Sequence, residues 1–161
     1  MSESIQPSNH RVVRFPGRLP APSAAALDVI MNAQSFIFSL PQIPMPTEHV
    51  LHAGLYVRTI RMLDGNVVIG SLIRLPTVVI LNGPCSVLAG DGVAEYEGYN
   101  VIPGSAGRKS VFVARGDVDL TMIFSTRAQS IEDAENEVFA EADLLMSRND
   151  DSLDTVVITG E

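Results

Sequence analysis

From Ala53 to Phe124 the chain is a succession of short β-branched runs, broken by glycine, proline or asparagine about every 8 to 12 residues. Runs that short cannot build a helical bundle, and their even spacing reads as a β-sandwich or a small barrel. At the centre lies Gly65–Asn82, GNVVIGSLIRLPTVVILN. Its Val- and Ile-rich runs, 66–73 and 77–81, suit a pleated and buried surface. Asp64-Gly65 before them predicts a tight hairpin turn, because the glycine tolerates positive φ. Pro76 and Asn82-Gly83-Pro84 mark the other boundaries, so the stretch reads as a β meander. Upstream, Leu55, Val57, Thr59 and Arg61 alternate with Tyr56, Arg58, Ile60 and Met62. Downstream, the runs 85–89, 93–96, 99–102, 109–114 and 118–124 bring the set to about eight strands.

The flanks follow other rules. Residues 1–22 carry Pro7, Pro16, Pro20 and Pro22 without a sustained period, and read as an extended N-terminal arm. In 23–52, Ser23 caps a helix whose stripe is Leu27, Ile30, Met31 and Gln34, and Pro41, Pro44 and Pro46 then make a stiff connector. Residues 53–125 form the barrel. Over 126–148 the pattern predicts one amphipathic helix, capped by Ser130, with Ile131, Ala134, Val138, Ala142 and Leu145 buried. Its acidic face (Glu132, Glu135, Glu137, Glu141 and Asp143) is expected in water. Residues 149–161 are an acidic tail in which TVVIT, 155–159, is a possible edge strand.

At 161 residues, with 46% hydrophobic and 19% charged side chains, the chain suits one globular domain. No apolar run approaches the roughly 20 residues that span a bilayer, and no apolar segment follows Met1, so the expectation is a soluble protein not secreted by a signal peptide and without a membrane partner. A net charge of −8 argues against nucleic acid as a partner. Charge is segregated: six basic residues face four acidic ones up to Leu75, and five face fifteen thereafter. Cys85 is the only cysteine, which leaves no intrachain disulfide and no cysteine-based zinc site, and its apolar neighbours predict a buried strand thiol.

With its runs and turns in this order, the chain resembles the cupins, the double-stranded β-helix family. The resemblance implies a mainly β fold: a cupin-like jelly-roll barrel with an N-terminal arm and helix and a C-terminal helix. The family's first motif is a glycine, five residues, His-x-His and a later Glu. Counting from Gly65 puts Ser71 and Ile73 at the histidine positions and Thr77 near the glutamate. In the second motif Gly98 and Pro103-Gly104 stand in place, and the histidine position falls near Arg108. The frame is kept without its ligands, and the expectation is therefore no metal and no cofactor. A narrower resemblance, over about residues 24–140 and carried by HVLHAGLYVR and IEDAENEVF, is to small cupin-like proteins of tailed phages and prophages.

Two functional readings follow. The first is a non-catalytic structural or interaction protein, a phage-encoded virion component or accessory in the virion or host cytoplasm. It would form a homo-oligomer and bind other virion proteins through the arm and tail. The second is a metal-independent binder of a sugar or small anion, or an epimerase-like enzyme, using His52, Tyr56 and Arg108 at the barrel mouth. His49 and His52 follow Pro44 and Pro46 and precede a strand, so they are expected to diverge; Arg58 and Arg74 are expected to face solvent, and Tyr96 is a further candidate for the barrel mouth.

Overall fold

The computed structural model describes residues 17–161. The first 16 residues of the expected arm, with Arg11 and Arg14, lie outside the described residues. Its end is anchored: Leu19 is fully buried in the core, its N–H donates to Pro103 O at 2.8 Å, and its carbonyl accepts from Ser105 N at 2.9 Å.

Helix α1, Ala24–Phe38, starts at Ser23, whose side chain accepts from Ala26 N and donates to Asp91 Oδ1 at 2.6 Å. Strands β1 (Thr47–His52) and β2 (Leu55–Met62) then form an antiparallel hairpin around Ala53-Gly54, both at positive φ. The remaining strands are β3 (Val67–Ile69), β4 (Thr77–Asn82), β5 (Cys85–Ala89), β6 (Gly92–Tyr96), β7 (Tyr99–Gly104), β8 (Val111–Ala114) and β9 (Val118–Ser125). Helix α2 (Ile131–Val138), a 3-10 turn at Ala142–Leu144, the short helix α3 (Met146–Asn149) and strand β10 (Asp154–Ile158) complete the chain.

One sheet runs β10-β1-β2-β9-β4-β7 and the other β3-β8-β5-β6. From β2 to β9 successive strands change sheets at every connection except the β5–β6 hairpin, which closes over Gly90-Asp91. Two interlocked Greek keys of this order are a jelly roll, so the fold is the mainly β barrel expected of the sequence.

The central stretch is not a meander. Its strands β3 and β4 lie in opposite sheets, and Asp64-Gly65 is a turn that sends the chain across the barrel; β2 pairs with β9, not β3. Both sheets need the outward and inward alternation that the runs carry, and alternation does not say which sheet a run joins. The first strand, β1, falls in the segment read as connector. The helix expected over 126–148 ends at Val138, because the next residues leave it to pair with 72–74: Arg74 N donates to Val138 O at 2.8 Å and Ala140 N to Leu72 O at 2.9 Å. The apolar stripe survives the break, with Ala134, Val138 and Ala142 all buried, whereas Glu135, expected in water, is buried too.

Strand β10 lies parallel to β1 and leaves Val156, Val157 and Ile158 exposed on the sheet margin. A buried polar chain ties it down. The Tyr56 hydroxyl donates to His49 Nδ1 at 2.8 Å, and His49 Nε2–H donates to Asp154 Oδ2 at 3.2 Å, the tautomer that an acceptor-only carboxylate requires. Burial and the Arg58 charge lower the His49 pKa from 6.5 against the upward pull of Asp154, so the contact is that of a neutral imidazole.

Two expectations follow. Leu19→Ala should cost about 3 kcal/mol, as large-to-small core changes do, read from urea midpoints; a loss near zero would mean that the anchored segment contributes no packing. A histidine neutral when folded and protonated when unfolded contributes stability above about pH 6.5 that is lost as pH falls through the lowered folded value. His49→Gln should therefore flatten the decline in stability between pH 7 and pH 5, and an unchanged slope would rule the neutral assignment out.

Candidate ligand-binding site

The site is set by one sheet face longer than the sheet that covers it. Tyr56, Arg58, Ile60 and Met62 of β2 share the inner face with their β9 partners Phe124, Met122, Leu120 and Val118. At the Met62 end the smaller sheet closes over a core that includes Val87, Phe112 and Leu81. At the Tyr56 end α2 and the turn after it close a second core, with Ala134, Val138 and Phe139 packed against Phe124. Between these two closures lies a cavity of about 520 Å3. Its remaining walls are the segment 65–73, the run Arg108–Ser110, the C-terminal half of α1, and the proline-rich connector 40–45.

Arg108 is the least compensated group in that wall. It is 3% exposed; its Nη2 donates to Thr77 Oγ1 at 2.7 Å and its Nη1 to Ser105 O at 3.1 Å, with no carboxylate in ion-pair range among the described residues. Burial pulls its pKa down to about 10, which leaves it charged at neutral pH. Gly104 makes room for it, since a Cβ there would stand 2.6 Å from Arg108 Cζ.

The other cations are answered. Lys109, 1% exposed, donates to Gly70 O at 2.9 Å and to Glu141 Oε1 at 3.2 Å. Glu141 also accepts from Gln34 Nε2 at 2.9 Å; burial pushes its pKa up, but the Gln34 bond and the Lys109 charge outweigh that and hold it below the usual range. Arg58 donates to Glu135 at 2.8 Å and to Ser147 Oγ at 2.8 Å, and its guanidinium sits 5.5 Å from the Phe139 ring centre. Two buried wall atoms, Gln34 Oε1 and Ser110 Oγ, have no hydrogen-bond partner among the described residues.

Of the four positions counted off the cupin motifs, three adjoin one another, while Ser71 lies beside Glu141. Ile73 pairs with Arg108 across a backbone bridge, Thr77 holds the guanidinium, and Ser71 Oγ accepts from Glu141 N at 3.3 Å. Their chemistry does not fit a first-row metal: one aliphatic group, two hydroxyls and a cation offer no imidazole or carboxylate at that point. Among the described residues no cluster of three or more histidine, cysteine, aspartate or glutamate side chains gathers elsewhere either.

The second set, His52, Tyr56 and Arg108, does not converge. His52 is exposed on the outer face of β1, with Nδ1 2.6 Å from Thr159 Oγ1. Tyr56 is fully buried on the inner face with His49 as its partner, and burial raises its pKa to about 12. Arg108 lines the cavity, and neither His52 nor Tyr56 does. Arg58, expected in solvent, faces inward, and Arg74 is exposed as expected. Tyr96 and Cys85 belong to the core of the smaller sheet, where burial raises the thiol pKa to about 11. Sequence reasoning missed Lys109, Ser110 and the inward turn of Glu141, and it placed Gln34 on the buried stripe of α1 without a role at the site. The one visible signal was a basic pair, Arg108-Lys109, placed directly before a buried strand.

No helix among the described residues is long and apolar enough to cross a membrane. No protein-family model matches the chain, and no curated protein matches its sequence. Solved structures similar to it include a cupin superfamily protein from Desulfitobacterium hafniense, 13% identical over 54% of this chain and 82% of that one, with a TM-score of 0.45. An RmlC-like cupin family protein with a double-stranded β-helix fold from Methanocaldococcus jannaschii is 11% identical over 52% and 81%, with a TM-score of 0.43. KdgF from a Halomonas species is 15% identical over 55% and 86%, with a TM-score of 0.45.

Proposed function

We propose that the chain is a metal-independent binding protein for a small anion, held in the cavity between the two sheets with Arg108 as its counter-ion. The observation that carries this reading is the buried guanidinium without a carboxylate. An uncompensated buried charge costs on the order of several kcal/mol, and an anionic ligand entering the cavity offsets that cost. A guanidinium also presents paired N–H donors to a carboxylate or phosphate. Gln34 Oε1 and Ser110 Oγ, both without partners, are available to a ligand hydroxyl or water beside the anion. Binding is favoured over catalysis because Lys109 and Glu141 hold each other, and His49 and Tyr56 are engaged outside the cavity wall.

A second reading is supported by β10. Its three exposed aliphatic residues on the outermost strand suit pairing with another copy or with other proteins of a particle, the virion role expected from the phage resemblance. Val157→Lys should then lower the mass of the native assembly on a sizing column; an unchanged mass would discard that reading.

The anion-binding reading is tested by nuclear magnetic resonance titration of the labelled protein with acetate, benzoate and inorganic phosphate. Saturable shifts in 104–110 and 34 are expected with at least one of them. Arg108→Gln should weaken binding tenfold or more, about 1.4 kcal/mol or more, within the range of hydrogen bonds to charged groups. Gly104→Ala should do the same by displacing the guanidinium while leaving its charge. Absence of saturable binding by all three, and by longer carboxylates as well, would refute the reading.

A further inference from the structure

The cavity has a second property that a small hydrophilic anion leaves unused. Away from Arg108 most of its lining surface is apolar, with Gln42, Thr47, Asn66 and Asp150 among the polar side chains between, and six apolar side chains of the lining stand open to water: Phe38, Leu40, Ile43, Val67, Leu144 and Leu153 are each 44% exposed or more. They come from four separate parts of the chain, namely α1, the connector, β3 and the segment from the 3-10 turn to the start of β10. Apolar side chains from such distant segments rarely converge on solvent at one cavity unless something covers them. Inside, Ile60, Leu120 and Met122 continue the apolar surface from this rim toward the wall that bears Arg108.

From this arrangement we infer that the ligand is an amphiphilic monocarboxylate, with its head on Arg108 and an unbranched or aryl apolar tail running along the cavity to the Phe38–Ile43 rim. The inference rests on the anion-binding reading and narrows it. A monoanion matches Arg108, the one cation of the cavity wall without a carboxylate among the described residues, since Lys109 is neutralised by Glu141 and Arg58 by Glu135. A sugar phosphate fits less well, because most of the lining surface is apolar and the charged side chains Lys109, Glu141, Arg58 and Glu135 already answer one another, which leaves few groups for its hydroxyls. The volume of about 520 Å3 lies within the range of sites for drug-sized ligands and exceeds what acetate or phosphate fills.

The test is calorimetric titration of the full chain with straight-chain carboxylates from butyrate to decanoate, with n-decanol as the uncharged counterpart. Affinity should rise about fourfold per added methylene, the equivalent of about 0.8 kcal/mol per buried CH2, and decanol should bind at least tenfold more weakly than decanoate. Arg108→Gln should abolish the preference for decanoate over decanol while keeping the chain-length dependence. Ile43→Ser, an exposed position whose loss leaves the cores untouched, should weaken decanoate and leave butyrate unchanged. Saturable, Arg108-dependent binding of acetate or phosphate with no gain along the series would overturn this inference while preserving the anion-binding reading, and would assign the apolar rim to a macromolecular contact. No binding by any carboxylate or phosphate would overturn both.

Discussion

A jelly roll whose larger sheet outruns the smaller one has to close its inner face twice, and everything distinctive about this chain follows from how it does so. The β5–β8 region covers one end with aliphatic and aromatic side chains. At the other end the chain supplies α2 and then breaks it after Val138, because pairing with 72–74 satisfies backbone groups that a longer helix would leave facing the barrel. That break turns Glu141 inward to meet Lys109 and Gln34 and leaves Phe139 under the Arg58 guanidinium. The cavity is the volume neither closure reaches, and its charges belong to the seam between them.

Burial of so many ionisable groups is expensive, and the structure deals with most of them in pairs. Arg58 with Glu135, and Lys109 with Glu141, are each joined by a further hydrogen bond, from Arg58 to Ser147 and from Gln34 to Glu141. A buried pair is weak evidence of stabilisation, but removal of one partner leaves the other uncompensated. Arg108 is already in that state. Its neighbours are a hydroxyl, a carbonyl and a glycine whose missing side chain is what lets the guanidinium lie there. Within a chain of net charge −8, Arg108 is a cation kept apart from the surface carboxylates, and the anion-binding proposal rests on that separation.

The barrel was legible in the sequence because turn chemistry and period-two alternation are local: the runs at 77–81, 85–89, 93–96, 99–102 and 118–124 all lie in strands. Which sheet each run joins was not legible, since Gly65 and Gly83 serve equally for a hairpin and for a crossing. Strand β1 was hidden by its prolines upstream and by an Ala53-Gly54 turn in which a non-glycine residue takes positive φ. At the site, Ile73 and Thr77, counted from Gly65, meet Arg108, counted from Gly98 and Pro103-Gly104, because the spacing of residues along paired strands fixes which positions become neighbours. Lys109 and Glu141 were not legible: an acidic residue on an amphipathic stripe reads as solvated unless the helix is known to stop, and the stop depends on residues about 65 positions away.

His49, Tyr56 and Asp154 show how the same face can hold polar groups that are not offered to a ligand. The imidazole is sealed between a phenol and a carboxylate contributed by the last strand, so one nitrogen is spent on Tyr56 of β2 and the other on fastening β10 to β1. The contrast with Arg108 lies in hydrogen-bond capacity. A neutral imidazole has one donor and one acceptor and both are satisfied, whereas a guanidinium has five N–H donors and only two of its nitrogens are engaged here. Under the anion-binding proposal those left-over donors call for an acceptor that carries charge, and a lining surface that is mostly apolar calls for an apolar group attached to that acceptor.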